Sequence, residues 1–282
     1  MSKSISGFSK LSKSKKIDWV LDTYFSNKEE AKTIIKQYWS ANDKLQQLHD
    51  EFIENTITNY YLPLGIAPNF LINNNLYTIP MAIEESSVVA AASKAAKFWL
   101  NRGGFKTEVI STTKMGQVHF TFNGDYNILK KYFQNIKPQL IANAKPITKN
   151  MEKRGGGILD IKLIDKTTSI ANYYQLHATF ETLDAMGANF INSCLESFAN
   201  TFKTEATYFD GIKDSDIDIV MSILSNYVPE CLVRAEVSCK VEELNEDPNV
   251  SSEDFAHKFI QAVQIAEVEP YRAVTHNKGI MN

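Results

Sequence analysis

The chain has 282 residues, 44% of them hydrophobic and 22% charged, with a formal net charge of −3. That balance belongs to a folded globular chain rather than a disordered one, and without a basic excess nucleic acid is not an expected partner. No apolar run approaches the ~20 residues that a membrane span needs. The basic start MSKSISGFSKLSKSKK is followed by no apolar stretch, so it does not read as a secretory signal. Cys194, Cys231 and Cys239 have no CxxC spacing, and His49, His119, His177, His257 and His276 form no HxxxH pair. Reduced thiols, a cytoplasmic protein and no metal site are the expectations.

In chain order, helix is expected over 17–57, with a capping box at Ser26-Asn27-Lys28-Glu29 inside it and a break near Ser40-Ala41-Asn42-Asp43. Ala31, Ile34, Ile35, Tyr38 and Trp39 form one apolar stripe at helical spacing. Asn69–Ile72 and Leu76–Ile79 flank Asn73-Asn74-Asn75, which predicts a hairpin. A helix over 87–101 should end at Gly103-Gly104.

Two strands, 106–112 and 117–122, are then expected with a turn at Gly116, followed by an Asp125-capped helix over 126–143 that stops near Lys145-Pro146. Strands at 158–163 and 172–180 and a helix over 185–203 complete a β-β-α-β-β-α order, which predicts an α+β unit with an antiparallel or mixed sheet. A helix near 215–225, a strand at 232–241 and a helix over 252–267 follow. The predicted fold class is α+β: a large, mostly helical domain carrying a smaller inserted α+β domain. The large domain is assigned 1–109 and 221–282, the smaller one 110–220.

Four stretches could carry chemistry. In PMAIEESSVVAAAS, Glu84 and Glu85 precede a helix that Ser86 or Ser87 could cap. A carboxylate desolvated there would have a raised pKa and suit a general acid. In KRGGGILDI, Gly155, Gly156 and Gly157 after two cations could cradle an anion or simply form a turn; the spacing is not GxGxxG. In LDAMGANF, Asp184 could cap a helix and Gly187 marks either a ligand approach or close packing. In PYRAVTHNKGIMN, Arg272, His276 and Lys278 crowd into a segment whose apolar residues predict a covered loop, where a lysine could polarise a carbonyl.

Together ENTI (54–57), LPLGIAPNF (62–70), PMAIEESSVVAAAS (80–93), RGGF (102–105), DAMGAN (184–189), ILSN (223–226) and PYRAVTHNKGIMN (270–282) resemble the hydroxymethylglutaryl-CoA (HMG-CoA) reductases, class II, in that family's order and spacing. The resemblance implies reduction of HMG-CoA to mevalonate and CoA by two hydride transfers. It implies Glu85 and Lys278 as catalytic groups and Ser87, Arg272 and Asn282 as substrate contacts. Asp184, Met186, Gly187, Asn189 and Asn226, with Gly155, Gly156 and Gly157, would form a non-Rossmann cofactor site. It also implies a homodimer or higher homo-oligomer.

The family's catalytic aspartate and flap histidine lie beyond Asn282, so the resemblance implies a C-terminally truncated chain that is inactive alone. The basic run Ala144–Lys149 stands where NADH-using members place an acid, which favours NADPH, with NADH possible. Degradative, NAD-dependent mevalonate oxidation and a non-catalytic module binding CoA esters are the alternatives.

Overall fold

The computed structural model describes residues 4–281. The chain divides into two compact units: one holds the residues up to Gly104 together with those from Ser238 onward, the other is Phe105–Val237.

The first unit opens with three short helices, α1 (Lys13–Tyr24), α2 (Lys28–Gln37) and α3 (Asp43–Asp50). The Asn27 carboxamide caps α2 by accepting the Glu30 N–H, so the cap lies one residue after the expected Ser26. Asn42 caps α3 in the same way, at the anticipated break. The apolar stripe divides: Ala31, Ile35 and Trp39 pack with Ile17 and Leu21, whereas Ile34 and Tyr38 stay exposed. Helix does not reach residue 57.

The expected hairpin is present as β1 (Leu64–Ile72) and β2 (Asn75–Ala82), with Asn73 and Asn74 at φ 48° and 66°. Two successive positive φ angles match the right-handed strand twist, and Asn tolerates them. Helix α4 (Val88–Leu100) packs on β1, and Gly65 lets Val89 approach; a Cβ there would lie 3.3 Å from its methyl. Gly103 and Gly104, both at positive φ, end α4. Arg102 then stacks on Phe98 and donates to the Glu243 carbonyl (2.7 Å) and the Glu246 carboxylate (3.0 Å), fixing the returning chain. Helices α8 (Ser252–Val268) and α9 (Pro270–Met281) complete this unit.

The second unit is an antiparallel sheet with helices packed on it. Its strands are β3 (Lys106–Phe122), β4 (Gly157–Asp165), β5 (Tyr173–Glu181), β6 (Ile217–Leu224) and β7 (Cys231–Glu236), in the order β4-β5-β3-β6, with β7 paired to the first half of β3. Three sequence expectations need correction. The two strands around Gly116 are one strand, β3, whose halves have different partners. Gly116 is not a turn: a Cβ would stand 2.6 Å from Leu195 and 3.0 Å from the Leu224 backbone, so glycine is needed for helix-on-sheet contact. The segment near 215–225 is strand β6 instead of helix, because its Ile and Val residues pair along β3.

Helix α5 (Tyr126–Asn143), capped by Asp125, is followed directly by α6 (Lys145–Glu152), so Pro146 begins a helix rather than ending one. With α7 (Ala188–Ala206), these helices cover a continuous core that includes Phe120, Phe122, Tyr132, Leu140, Leu176, Phe180, Leu195, Phe198 and Phe202. The buried Tyr132 hydroxyl donates to the Phe202 carbonyl at 2.5 Å.

Candidate active site

Glu85 and Lys278, 193 residues apart in sequence, form a hydrogen-bonded ion pair in the first unit. Glu85 comes from the bend that leads into α4, and Lys278 from the last turns of α9. Both side chains are about half exposed. The desolvated carboxylic acid expected from sequence is therefore not what these residues supply. The carboxylate faces an ammonium and water.

Ser87 stands at the N-terminal end of α4 with φ 72°, and its hydroxyl does not cap the helix. The side-chain cap anticipated there is absent because a left-handed serine does not present its Oγ to the first-turn N–H groups. A non-glycine residue in that conformation is strained, and such strain concentrates at binding sites.

The segment carrying Lys278 is also corrected. It is helix α9, not a covered loop, and Val274, Ile280 and Met281 are exposed among the described residues. Glu269 starts it, its carboxylate accepting the Arg272 N–H at 2.6 Å. Six residues on a helix place Arg272 and Lys278 about 120° apart around the axis. The two cations thus occupy different faces of α9. His276 is exposed on the same helix. Asn282 lies outside the described residues.

The second unit carries the remaining candidates. Asp184 and Met186 are exposed on the loop between β5 and α7, and Asp184 does not cap the helix. Gly187 does, with φ 77° and no side chain to offer. A Cβ on it would lie 2.5 Å from Thr182, which is the close packing that was one of the two readings of this glycine. Asn189 follows, exposed in the first turn of α7. Asn226 is exposed just beyond β6, next to Ser225, whose N–H reaches the Met115 carbonyl.

The anion cradle at Gly155–Gly157 is not formed. The Gly155 N–H donates to the Glu152 carbonyl (2.9 Å) and the Gly156 N–H to Met151 (3.0 Å), closing the C-terminus of α6. That end of a helix dipole repels anions. Gly157 pairs with Glu181 as the first residue of β4. The basic run before it is partly engaged as well, since the Lys145 ammonium holds Glu152 at 3.0 Å. The Thr148 hydroxyl and then Lys145 keep the Glu152 carboxyl below its usual range.

Sequence reasoning passed over the groups that hold the 182–187 loop. The Glu181 carboxylate accepts the Thr112 hydroxyl (2.5 Å) and the Leu183 N–H (2.6 Å), and the buried Thr182 hydroxyl donates to the Ala185 carbonyl (2.7 Å). A threonine followed by a left-handed residue was the available signal, but leucine is an unusual occupant of that conformation. Among the described residues no cluster of His, Cys, Asp and Glu could hold a metal, and no helix is long and apolar enough to cross a membrane.

With this geometry, likeness to known proteins becomes informative. The family model for hydroxymethylglutaryl-coenzyme A reductase matches residues 15–282. The 3-hydroxy-3-methylglutaryl-coenzyme A reductase of Archaeoglobus fulgidus is 33% identical over all 282 residues, which span 60% of that protein. A probable 3-hydroxy-3-methylglutaryl-coenzyme A reductase of Borreliella burgdorferi is 32% identical, over 99% of this chain and 61% of its own length. Among solved structures, a class II reductase of Streptococcus pneumoniae bound to NADPH in open conformations superposes with a TM-score of 0.73 at 29% identity, over 99% of this chain and 72% of that one. The present chain therefore spans about three fifths of the length of those curated relatives. By sequence and by fold it belongs to the hydroxymethylglutaryl-coenzyme A reductase family.

Proposed function

We propose that the protein reduces HMG-CoA to mevalonate and CoA with NADPH, and that Glu85 and Lys278 are its catalytic pair. The observation that carries this reading is their ion pair, which joins two family motifs 193 residues apart in sequence. The Lys278 ammonium would stabilise the negative charge that develops on the thioester carbonyl oxygen, and later on the aldehyde oxygen. Glu85, bonded to that ammonium, would hold and deliver the proton to the same oxygen. Ser87 would orient the substrate with its exposed-end hydroxyl, and Arg272 would take the substrate carboxylate from another face of α9.

The reduced nicotinamide, when bound, supplies the hydride. The second unit fits such a dinucleotide: α7 begins at Gly187 without a side-chain cap, leaving its first-turn N–H groups for phosphate oxygens. Asp184, Met186, Asn189 and Asn226 would line that end of the cofactor. Lys149, Lys153 and Arg154, all exposed, support a preference for the 2′-phosphate of NADPH over NADH. A homodimer is supported by exposed apolar residues on the hairpin, Leu64, Ile66 and Leu76.

The test is HMG-CoA-dependent oxidation of NADPH by the full-length protein and by its Glu85→Gln and Lys278→Met variants. Each variant should lose about 100-fold or more in kcat. Near-normal turnover by either would overturn the assignment.

A further inference from the structure

We propose that Glu181 is a positioning residue for the cofactor: its carboxylate braces the loop Thr182–Gly187 in the one conformation that presents Asp184 and Met186. The inference rests on the reductase reading above and deepens it by assigning the group that sets the loop.

Glu181 is the last residue of β5, paired with Thr113 of β3 on one side and Gly157 of β4 on the other, so its backbone is fixed. Gly156 packs against it, and a Cβ there would lie 2.5 Å from the Glu181 carbonyl. From this anchor one carboxylate oxygen takes the Leu183 N–H and the other takes the Thr112 hydroxyl. Leu183 has φ 55°, a conformation a leucine adopts only when its surroundings impose it. The charged acceptor on its N–H is the nearest such imposition. The next two constraints act from inside the loop. Thr182, 1% exposed, donates to Ala185, whose N–H returns to the Thr182 carbonyl at 3.1 Å. Gly187 then folds over the Thr182 methyl, closer than any side chain would allow. These bonds leave the side chains of Asp184 and Met186 exposed at the tip, Met186 by 64%.

Hydrogen bonds explain the charge state. The Thr112 hydroxyl first, then the Leu183 N–H and nearby Lys114, hold the Glu181 carboxyl below the usual carboxylate range. A depressed pKa means that the bracing is fully present above the ordinary glutamate pKa and is lost only as pH falls below it. The brace therefore works unchanged across neutral pH.

The experiment uses the full-length protein with NADPH as probe, and reads three quantities: NADPH dissociation constant, HMG-CoA dissociation constant, and hydrogen exchange at the Leu183 amide. Glu181→Ala should weaken NADPH about tenfold, the size of one charge-assisted hydrogen bond. It should speed exchange at Leu183 and leave HMG-CoA affinity unchanged. Glu181→Gln, which keeps an acceptor for the Leu183 N–H, should recover most of the NADPH affinity. Unchanged NADPH affinity in Glu181→Ala, or an equal loss for both ligands, overturns the proposal. If the wild-type protein binds no NADPH, the reductase reading fails instead, and exchange at Leu183 still decides whether the brace exists.

Discussion

The Glu85–Lys278 pair separates stability from catalysis. Both groups are half exposed, so the pair contributes at most about 1 kcal/mol to folding. Replacing either should therefore leave the unfolding midpoint nearly unchanged while removing most activity, which chemical denaturation and steady-state kinetics would report together. Ser87 offers the opposite separation. Its left-handed backbone costs about 1 kcal/mol in a serine and little in a glycine. Ser87→Gly should raise stability by about that amount, whereas Ser87→Ala should keep the strain and raise KM for HMG-CoA through loss of the hydroxyl. A Ser87→Gly protein that is less stable than wild type would show that the serine is held by contacts rather than strained.

At the level of elements, β3 is the piece on which the second unit is assembled. Its first half pairs with β7 and its second half lies between β5 and β6, so one uninterrupted strand joins β7 to the rest of the sheet. Gly116 lies in the second half, under α7. Gly116→Ala would place a methyl against Leu195 and the Leu224 backbone and should destabilise by about 1–3 kcal/mol, the usual penalty of overpacking. The measurement is the denaturant midpoint, and α7 should lose hydrogen-exchange protection with it. Helix α6 shows how a glycine run serves an element. Gly155 and Gly156 terminate the helix, and the space freed by Gly156 is filled by the Glu181 carbonyl.

Over the whole chain, apolar burial is unevenly divided. The Phe105–Val237 unit has a continuous core of aromatic and aliphatic residues, while the fully buried cluster of the other unit is small, Ile17, Leu21 and Ala31. Burial contributes about 25 cal/mol per Å² of apolar surface, so the second unit should be much the more stable by itself. Calorimetry of the 282 residues should resolve two transitions, and hydrogen exchange should assign the lower one to α8 and α9, which bury no residue fully. A single cooperative transition would show that the two units are energetically coupled.

Local chemistry explains what could be read before any fold was known. The Asn73-Asn74 turn, the Asp125 cap and the glycine stop after α4 each depend on a few neighbouring residues, and each is present. The family motifs were legible for a related reason, since a fixed set of side chains at fixed spacing is itself a sequence property. What stayed hidden depends on distant partners. Residues 217–224 could have been helix until β3 supplied the ladder that made them strand. Gly116 looked like a turn until Leu195 and Leu224 filled the space its missing side chain leaves. The glycines after Arg154 suggested an anion cradle until the end of α6 used their N–H groups. Glu181 carried no signal, because its role comes from Thr112, a residue 69 positions away that only the paired strands bring within reach.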